Sequence, residues 1–147
     1  MGFNTQFTPY PAKLKFLEAQ PLTRVTAAGT TNGAAVSIGE LEGTLALVVQ
    51  APLLTGTTPT LTISVEHRVD STDSWAAIPA AALINPSTGA AASFTVVNDT
   101  TGNGLQKLGL AKGLLKAQVR VNFVVAGTTP VAIFGAQIVG SDKYGDQ

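Results

Sequence analysis

The segment GTTPTLTISVEHR, Gly56 to Arg68, decides the fold class. From Leu61 onward it alternates without a break. Leu61, Ile63, Val65 and His67 fall on one face of an extended chain, and Thr62, Ser64, Glu66 and Arg68 fall on the other. Side chains in a strand alternate with period two, so this is a strand buried on one side. Its opening Gly-Thr-Thr-Pro returns at Gly127–Pro130, again between two apolar runs. In each copy glycine can take a positive φ at little steric cost. The threonine before proline is pushed towards an extended backbone, and proline stands at the first strand position, where its missing N–H matters least. Each copy therefore reads as a β-turn between two strands.

Working outward, TLALVVQ (44–50) sets Leu45, Leu47 and Val49 on one face, and AQVRVNFVV (117–125) sets Val119, Val121, Phe123 and Val125 against Gln118, Arg120 and Asn122. VAIFGAQIV (131–139) is apolar on both faces and reads as a central strand. Shorter strand signals fall at 22–28, 34–38, 75–78 and 93–97. Pro79 breaks the alanine-rich run 74–84, and Gly109 and Gly113 argue against a helix over 104–118. The expectation is an all-β protein, a jelly-roll-like antiparallel β-sandwich with an extended N-terminal arm. In a jelly roll the second strand pairs with the penultimate and the first with the last. Strand 44–51 should then pair with 131–139, strand 60–68 with 117–125, and both GTTP segments should lie at one end.

The chain has 147 residues, enough for one domain with a single core. Hydrophobic residues make up 45% of it but aromatic residues only 6%, so the core must be built from Ala, Val, Leu and Ile. Charged residues are 12% and the formal net charge is zero, which gives no electrostatic pull towards nucleic acid or anionic lipid. A surface this lightly charged suits a protein that lives in an assembly. No apolar run is long enough to span a bilayer as a helix, and the N-terminus has no charged-then-apolar signal pattern. MGFNTQ begins like a myristoylation site but has Gln6 where serine or threonine is needed. Three zones follow: an arm over 1–21 with Pro9, Pro11 and Pro21, a β-sandwich body over 22–141, and a polar tail over 142–147.

Residue types that carry chemistry are sparse. His67 is the one histidine and there is no cysteine, so neither a typical zinc set nor thiolate chemistry can be assembled. His67 reads as a sheet-end or interface residue. Asp70 and Asp73 in VDSTDSW lack the spacing of a calcium loop and are ordinary turn formers. Glu40 and Glu42 lie on one face of a strand and read as a solvated edge rather than a glycosidase pair. Lys107, Lys112 and Lys116 make a modest basic patch without interleaved aromatics, and Asn98-Asp99-Thr100 matches a glycosylation sequon. No catalytic, cofactor or metal site is expected, nor a small-molecule substrate.

The arm is different. It holds Phe3, Phe7, Tyr10 and Phe16, four of the nine aromatics of the chain. Burying one such ring is worth roughly 1.5–3 kcal/mol. These four residues are the candidate interface, with a neighbouring subunit or the protein's own body as the surface they would cover.

The order of these segments resembles a family. An apolar strand is followed by GTTPTLTISVEHRVDSTDSWAAIP, and the C-terminal part reads LLKAQVRVNFVVAGTTPVAIFGAQIVG, with Lys116 and Arg120 opening the penultimate strand. This is similar to the small head proteins of tailed bacteriophages that decorate or cement the capsid. The resemblance covers about residues 40–140 and leaves the arm out. It implies a sandwich that binds the outside of an icosahedral head across junctions of the major capsid protein, as a homo-oligomer with a trimer favoured. It implies a virion location after synthesis in the bacterial cytoplasm, and neither enzymatic activity nor a cofactor. Competing expectations are a phage tail, fibre or head–tail connector component, and a carbohydrate-binding sandwich using Trp75, the single tryptophan.

Overall fold

A computed structural model describes residues 14–98 and 104–142. The elements in chain order are β1 (Leu14–Val25), β2 (Gly29–Asn32), β3 (Val36–Ser37), β4 (Leu41–Arg68), β5 (Ala76–Ala77), β6 (Leu83–Ile84), β7 (Val97–Asn98), β8 (Gln106–Ala111) and β9 (Gln118–Asp142). Two short 3₁₀ turns, Ala80–Ala82 and Lys112–Leu114, fall where Pro79 and Gly113 break the alanine- and leucine-rich runs. All nine strands belong to one antiparallel sheet, with a main path β1-β9-β4-β8-β6. The all-β, antiparallel expectation holds.

So does the pairing. Residues 46–54 of β4 pair with 132–139 of β9, and residues 60–68 pair with 118–126. The buried sets follow the alternation. Leu45, Leu47, Val49, Leu61, Ile63, Val65, Val119, Val121, Phe123 and Val125 are all buried. The apolar run 131–139 lies between β1 and β4, a central position that explains why both of its faces are apolar.

The GTTP segments lie side by side, as expected, with Thr57 paired to Thr128. They are not hairpin turns, however: neither joins two strands that pair with each other. β4 runs on through Gly56–Pro59 and β9 runs on through Gly127–Pro130, so two very long strands form one ribbon with a corner in its middle. Phe123 and Phe134 show how sharp that corner is. They are eleven residues apart on β9, about 36 Å in a straight strand. Their rings instead stack with centroids 4.4 Å apart. The ribbon thus doubles over and presses its two halves together, giving a two-layer sandwich from one sheet. Layer one holds the first half of β4, the second half of β9, β1, β8 and β6. Layer two holds the second half of β4, the first half of β9, β2, β3, β5 and β7.

The corner is built by mutual contact of the two copies. Thr57 pairs with Thr128. Gly56 lies against Pro130 and the Thr128 and Thr129 carbonyls, and Gly127 lies against Pro59 and the Thr57 and Thr58 carbonyls. The contacts are reciprocal: each copy makes to the other the same set that it receives. Gly56 and Gly127 have φ of 132° and 118°, as the composition of the segment suggests. Thr58 and Thr129 depart from expectation. Each precedes a proline, yet their φ values are 48° and 47°, left-handed rather than extended. A β-branched residue there is strained by roughly 1–3 kcal/mol, and persists because the crossing ribbon over-determines it. Pro59 and Pro130 are buried in the irregular stretch where the ladder loses register, so no bond is forfeited.

β1 and β2 turn the same corner alongside β9. β1 follows β9 from Ser141 to Ala132, and β2 follows it from Val125 to Asn122. The expected boundary between arm and body at residues 21 and 22 falls inside β1. Pro21 is tolerated there because β1 is an edge strand and its pairing shifts register between Gln20 and Thr23. Beyond the corner the two layers are tied along one side. The Gly33 N–H donates to the Val121 carbonyl in layer two, and the Ala34 N–H donates to the Ala19 carbonyl in layer one. A Cβ on Gly33 would stand 2.5 Å from one of those oxygens and 2.7 Å from the other, which leaves glycine alone able to occupy the tie.

Candidate functional site

Two features stand out on the surface: a charged and aromatic cluster on layer two, and the free edge of β1 on layer one. The first begins with the alternation of β4. Glu66 and Arg68 point outward from layer two, as do Gln118, Arg120 and Asn122 of β9, because directly paired residues share a face. Glu66 Oε2 accepts from Arg120 Nε at 2.7 Å and from Asn122 Nδ2 at 2.7 Å, and the second Arg120 contact, through Nη2, is 2.6 Å. Arg68 Nε donates to Gln118 Oε1 at 2.8 Å. The Trp75 ring, carried over this face by the loop before β5, lies 4.4 Å from the Arg68 guanidinium carbon and 4.5 Å from that of Arg120. A cation over an aromatic face gains electrostatically from the ring quadrupole.

Burial works to raise the Glu66 carboxyl, but the hydrogen bonds from Asn122 and Arg120 and the Arg120 charge outweigh it and hold the group below its ordinary range. Glu66→Ala should therefore destabilise the protein by about 2 kcal/mol, because it strips a mostly buried guanidinium of its counter-charge. Urea denaturation at neutral pH measures this, and a loss below a few tenths of a kcal/mol would contradict it. Sequence reasoning missed the cluster, although its signal was present. The expected pairing of 60–68 with 117–125 already puts Glu66 and Arg120 on one face.

The other sequence candidates disperse. His67 points inward with Ile63 and Val65 and is only 8% exposed. Its Nδ1 accepts the Lys116 backbone N–H at 3.2 Å. Desolvation lowers its pKa below the ordinary 6.5, the nearby Lys116 charge adds to this, and Asp73 opposes it. The sign follows from linkage. The folded form binds the proton less well than the unfolded chain, so stability is full above 6.5 and falls as pH drops through the lower folded value. Between pH 7 and 5.5 the melting temperature should fall further for the native chain than for His67→Gln. Parallel slopes would rule the imidazole out as the source.

Asp70 and Asp73 cap the loop before Trp75. Asp70 Oδ1 accepts from the Thr72 hydroxyl at 2.6 Å and its N–H at 2.8 Å, and Asp73 Oδ2 accepts the Val69 N–H at 3.0 Å. These bonds lower both carboxyl pKa values, Thr72 being the main cause for Asp70 and Val69 for Asp73. Among the described residues no three His, Asp or Glu side chains gather as a metal set. Glu40 pairs with Lys15, and Glu42 is exposed. The lysines separate: Lys116 reaches Asp73 at 3.4 Å, Lys112 turns to the carbonyls of Gly39 and Leu41, and Lys107 is exposed on β8.

Of the four arm aromatics, Phe3, Phe7 and Tyr10 lie outside the described residues. Phe16 lies on β1 opposite Val139 and is 62% exposed, as is Leu22 on the same strand. β1 ends the main path of the sheet, so among the described residues its second edge has no strand partner. Beside residues 15–18 that edge opens into a cleft of about 580 Å³, whose far bank is formed by residues 35–37 and 39–41. The Lys15–Glu40 ion pair spans its two banks.

No family model matches the chain, and no curated protein does. Among solved structures, it is similar to the crystal structure of the infectious bursal disease virus VP2 subviral particle, with 9% identity and a TM-score of 0.45. The match covers 88% of this chain but 32% of the VP2 chain, so the protein spans about a third of the length of that neighbour.

Proposed function

We propose that this chain is a virion structural protein, a decoration or cement protein that binds the outside of a tailed-phage head and bridges major capsid protein subunits, with no catalytic role. The observation that carries the reading is β1. The aromatic segment that precedes Leu14 runs directly into an edge strand whose Phe16 and Leu22 are each 62% exposed. An unpaired strand edge with exposed apolar side chains is a template for association, and soluble monomers guard such edges. The resemblance over residues 40–140 supplies the class of partner. The low charge and zero net charge support life within an assembly rather than free in solution.

The mechanism needs no chemistry. A protein that binds only the assembled shell stabilises it by mass action, and several copies around a symmetry axis add avidity. Trp75 is already engaged by two guanidinium groups, which leaves it poorly suited as a sugar-stacking platform.

The test is deletion of residues 2–13, which spares β1. The truncated chain should keep the circular dichroism of the full chain and lose co-sedimentation with purified heads of the phage that encodes it. Full binding by the truncated chain would remove the arm from the mechanism. A virion stoichiometry of a few copies, rather than many spread over the shell, would make the protein a connector instead.

A further inference from the structure

We infer that the cleft beside β1 is a strand acceptor, and that its occupant is the N-terminal segment of a second copy of this chain. The inference deepens the proposed function, on whose adhesive arm it rests, by naming where that arm seats.

The cleft lies where the sandwich is left open. Along this side the layers are tied at Gly33 and Ala34, through Val121 and Ala19. Further towards Leu14, residues 15–18 of β1 and residues 35–37 and 39–41 stand apart, joined across the gap by the Lys15–Glu40 pair. That pair is a weak strap, since Glu40 is 62% exposed and surface ion pairs are screened. The lining is mixed: Val36 and Leu41 belong to the core and Leu17 packs against it, while Lys15, Glu18, Ser37 and Glu40 line the banks. An added strand would find main-chain partners along β1, apolar contact from Phe16 and Leu17, and polar partners on the banks, the recognition mode of strand addition.

The segment that ends at Leu14 suits this role. Residues 3–8, FNTQFT, hold no proline, and Pro9 then stops any ladder because it cannot donate. As a strand they put Phe3, Thr5 and Phe7 on one face and Asn4, Gln6 and Thr8 on the other. Seating in the chain's own cleft would require a reversal within PYPAK, residues 9–13. There Pro9 and Pro11 are locked near a φ of about −65°, which bars them from the positive-φ positions of the tight type I′ and II′ hairpin turns. Thirteen residues reach about 43 Å when extended, enough to enter a neighbour without reversing. Exchange of this kind joins copies head to tail and closes into a ring when the rotation permits.

The chain has no cysteine, so introduced thiols report cleanly. Ser37→Cys is mixed in equal amounts with Thr5→Cys, Gln6→Cys or Thr8→Cys in the full-length chain and oxidised. At least one mixture should give a disulfide-linked pair. The corresponding double variant should link into covalent oligomers, and sedimentation should show the unmodified chain above monomer mass and the chain lacking residues 2–13 at monomer mass. Closure of the double variant within one chain would overturn the exchange in favour of self-docking. Linkage at none of the three positions, or a monomeric full-length chain, would overturn it outright. Shell binding is measured on the same samples. Linked copies that do not bind shells would leave the exchange standing and defeat the decoration role alone.

Discussion

Gly127→Ala is expected to lower the unfolding free energy by about 3 kcal/mol, with Gly56→Ala close behind. The reasons are backbone conformation and contact together. At Gly127 φ is 118°, and an added Cβ would stand 2.9 Å from the Pro59 Cα and 3.0 Å from the Thr58 carbonyl oxygen. At Gly56 the equivalent approaches are 3.0 Å to Pro130 and 3.0 Å to the Thr128 oxygen. Both obstacles are backbone, which cannot swing aside as a long side chain would. Gly89 provides the control. Its φ of 72° is also unfavourable for alanine, but nothing lies within 4 Å of its Cβ position. Gly89→Ala should therefore lose only about 1 kcal/mol, the conformational part alone. Urea denaturation of the three variants separates strain from collision. Equal losses at all three would mean that the close crossing contributes nothing. Because Gly56 and Gly127 build one junction, the double variant should lose less than the sum of the two.

The second large effect is expected in the core. Phe134→Ala should destabilise the protein by about 4 kcal/mol. Phe123 and Phe134 are both fully buried, and their rings stack at 4.4 Å with an interplanar angle of 18°. In a core otherwise made mainly of Val, Leu, Ile and Ala, these two rings are the largest fully buried side chains. No neighbour is big enough to refill the space one of them vacates. Phe123→Ala should be similarly costly, and the double-mutant cycle should return a coupling of about 1 kcal/mol. A loss under about 1.5 kcal/mol for either single variant would mean that the two layers collapse to fill the gap.

Much of this architecture is written in period two. The alternation in 60–68 and 117–125 states which residues are inside, and it also identifies the pairs, because both strands have to bury one face against a common core. What the GTTP segments do is not written locally. Glycine, threonine and proline suit a hairpin turn, and whether the chain reverses or runs on depends on which strand lies opposite. Here that strand carries the same four residues, and the two segments shape each other. The left-handed Thr58 and Thr129 arise from this mutual packing, which overrides the preference of a residue before proline. The Trp75 cluster was readable only by combining the alternation with the pairing. The place of β1 was obscured by Pro21, which argues for an irregular arm until the strand is seen to lie at an edge.

The doubled ribbon also bears on how the protein is made. β9 follows every other strand in the chain, yet it is the partner of β1, β2, β3 and β4 and lies in both layers. During synthesis the earlier strands emerge with their principal partner still missing. Neither layer is complete until residues 118–142 have left the ribosome, and the contacts that then form span 50 to more than 100 residues of sequence. Such non-local pairing makes folding slow and leaves apolar edges open in the interval. The chain is thus most exposed to aberrant association just before its last strand arrives.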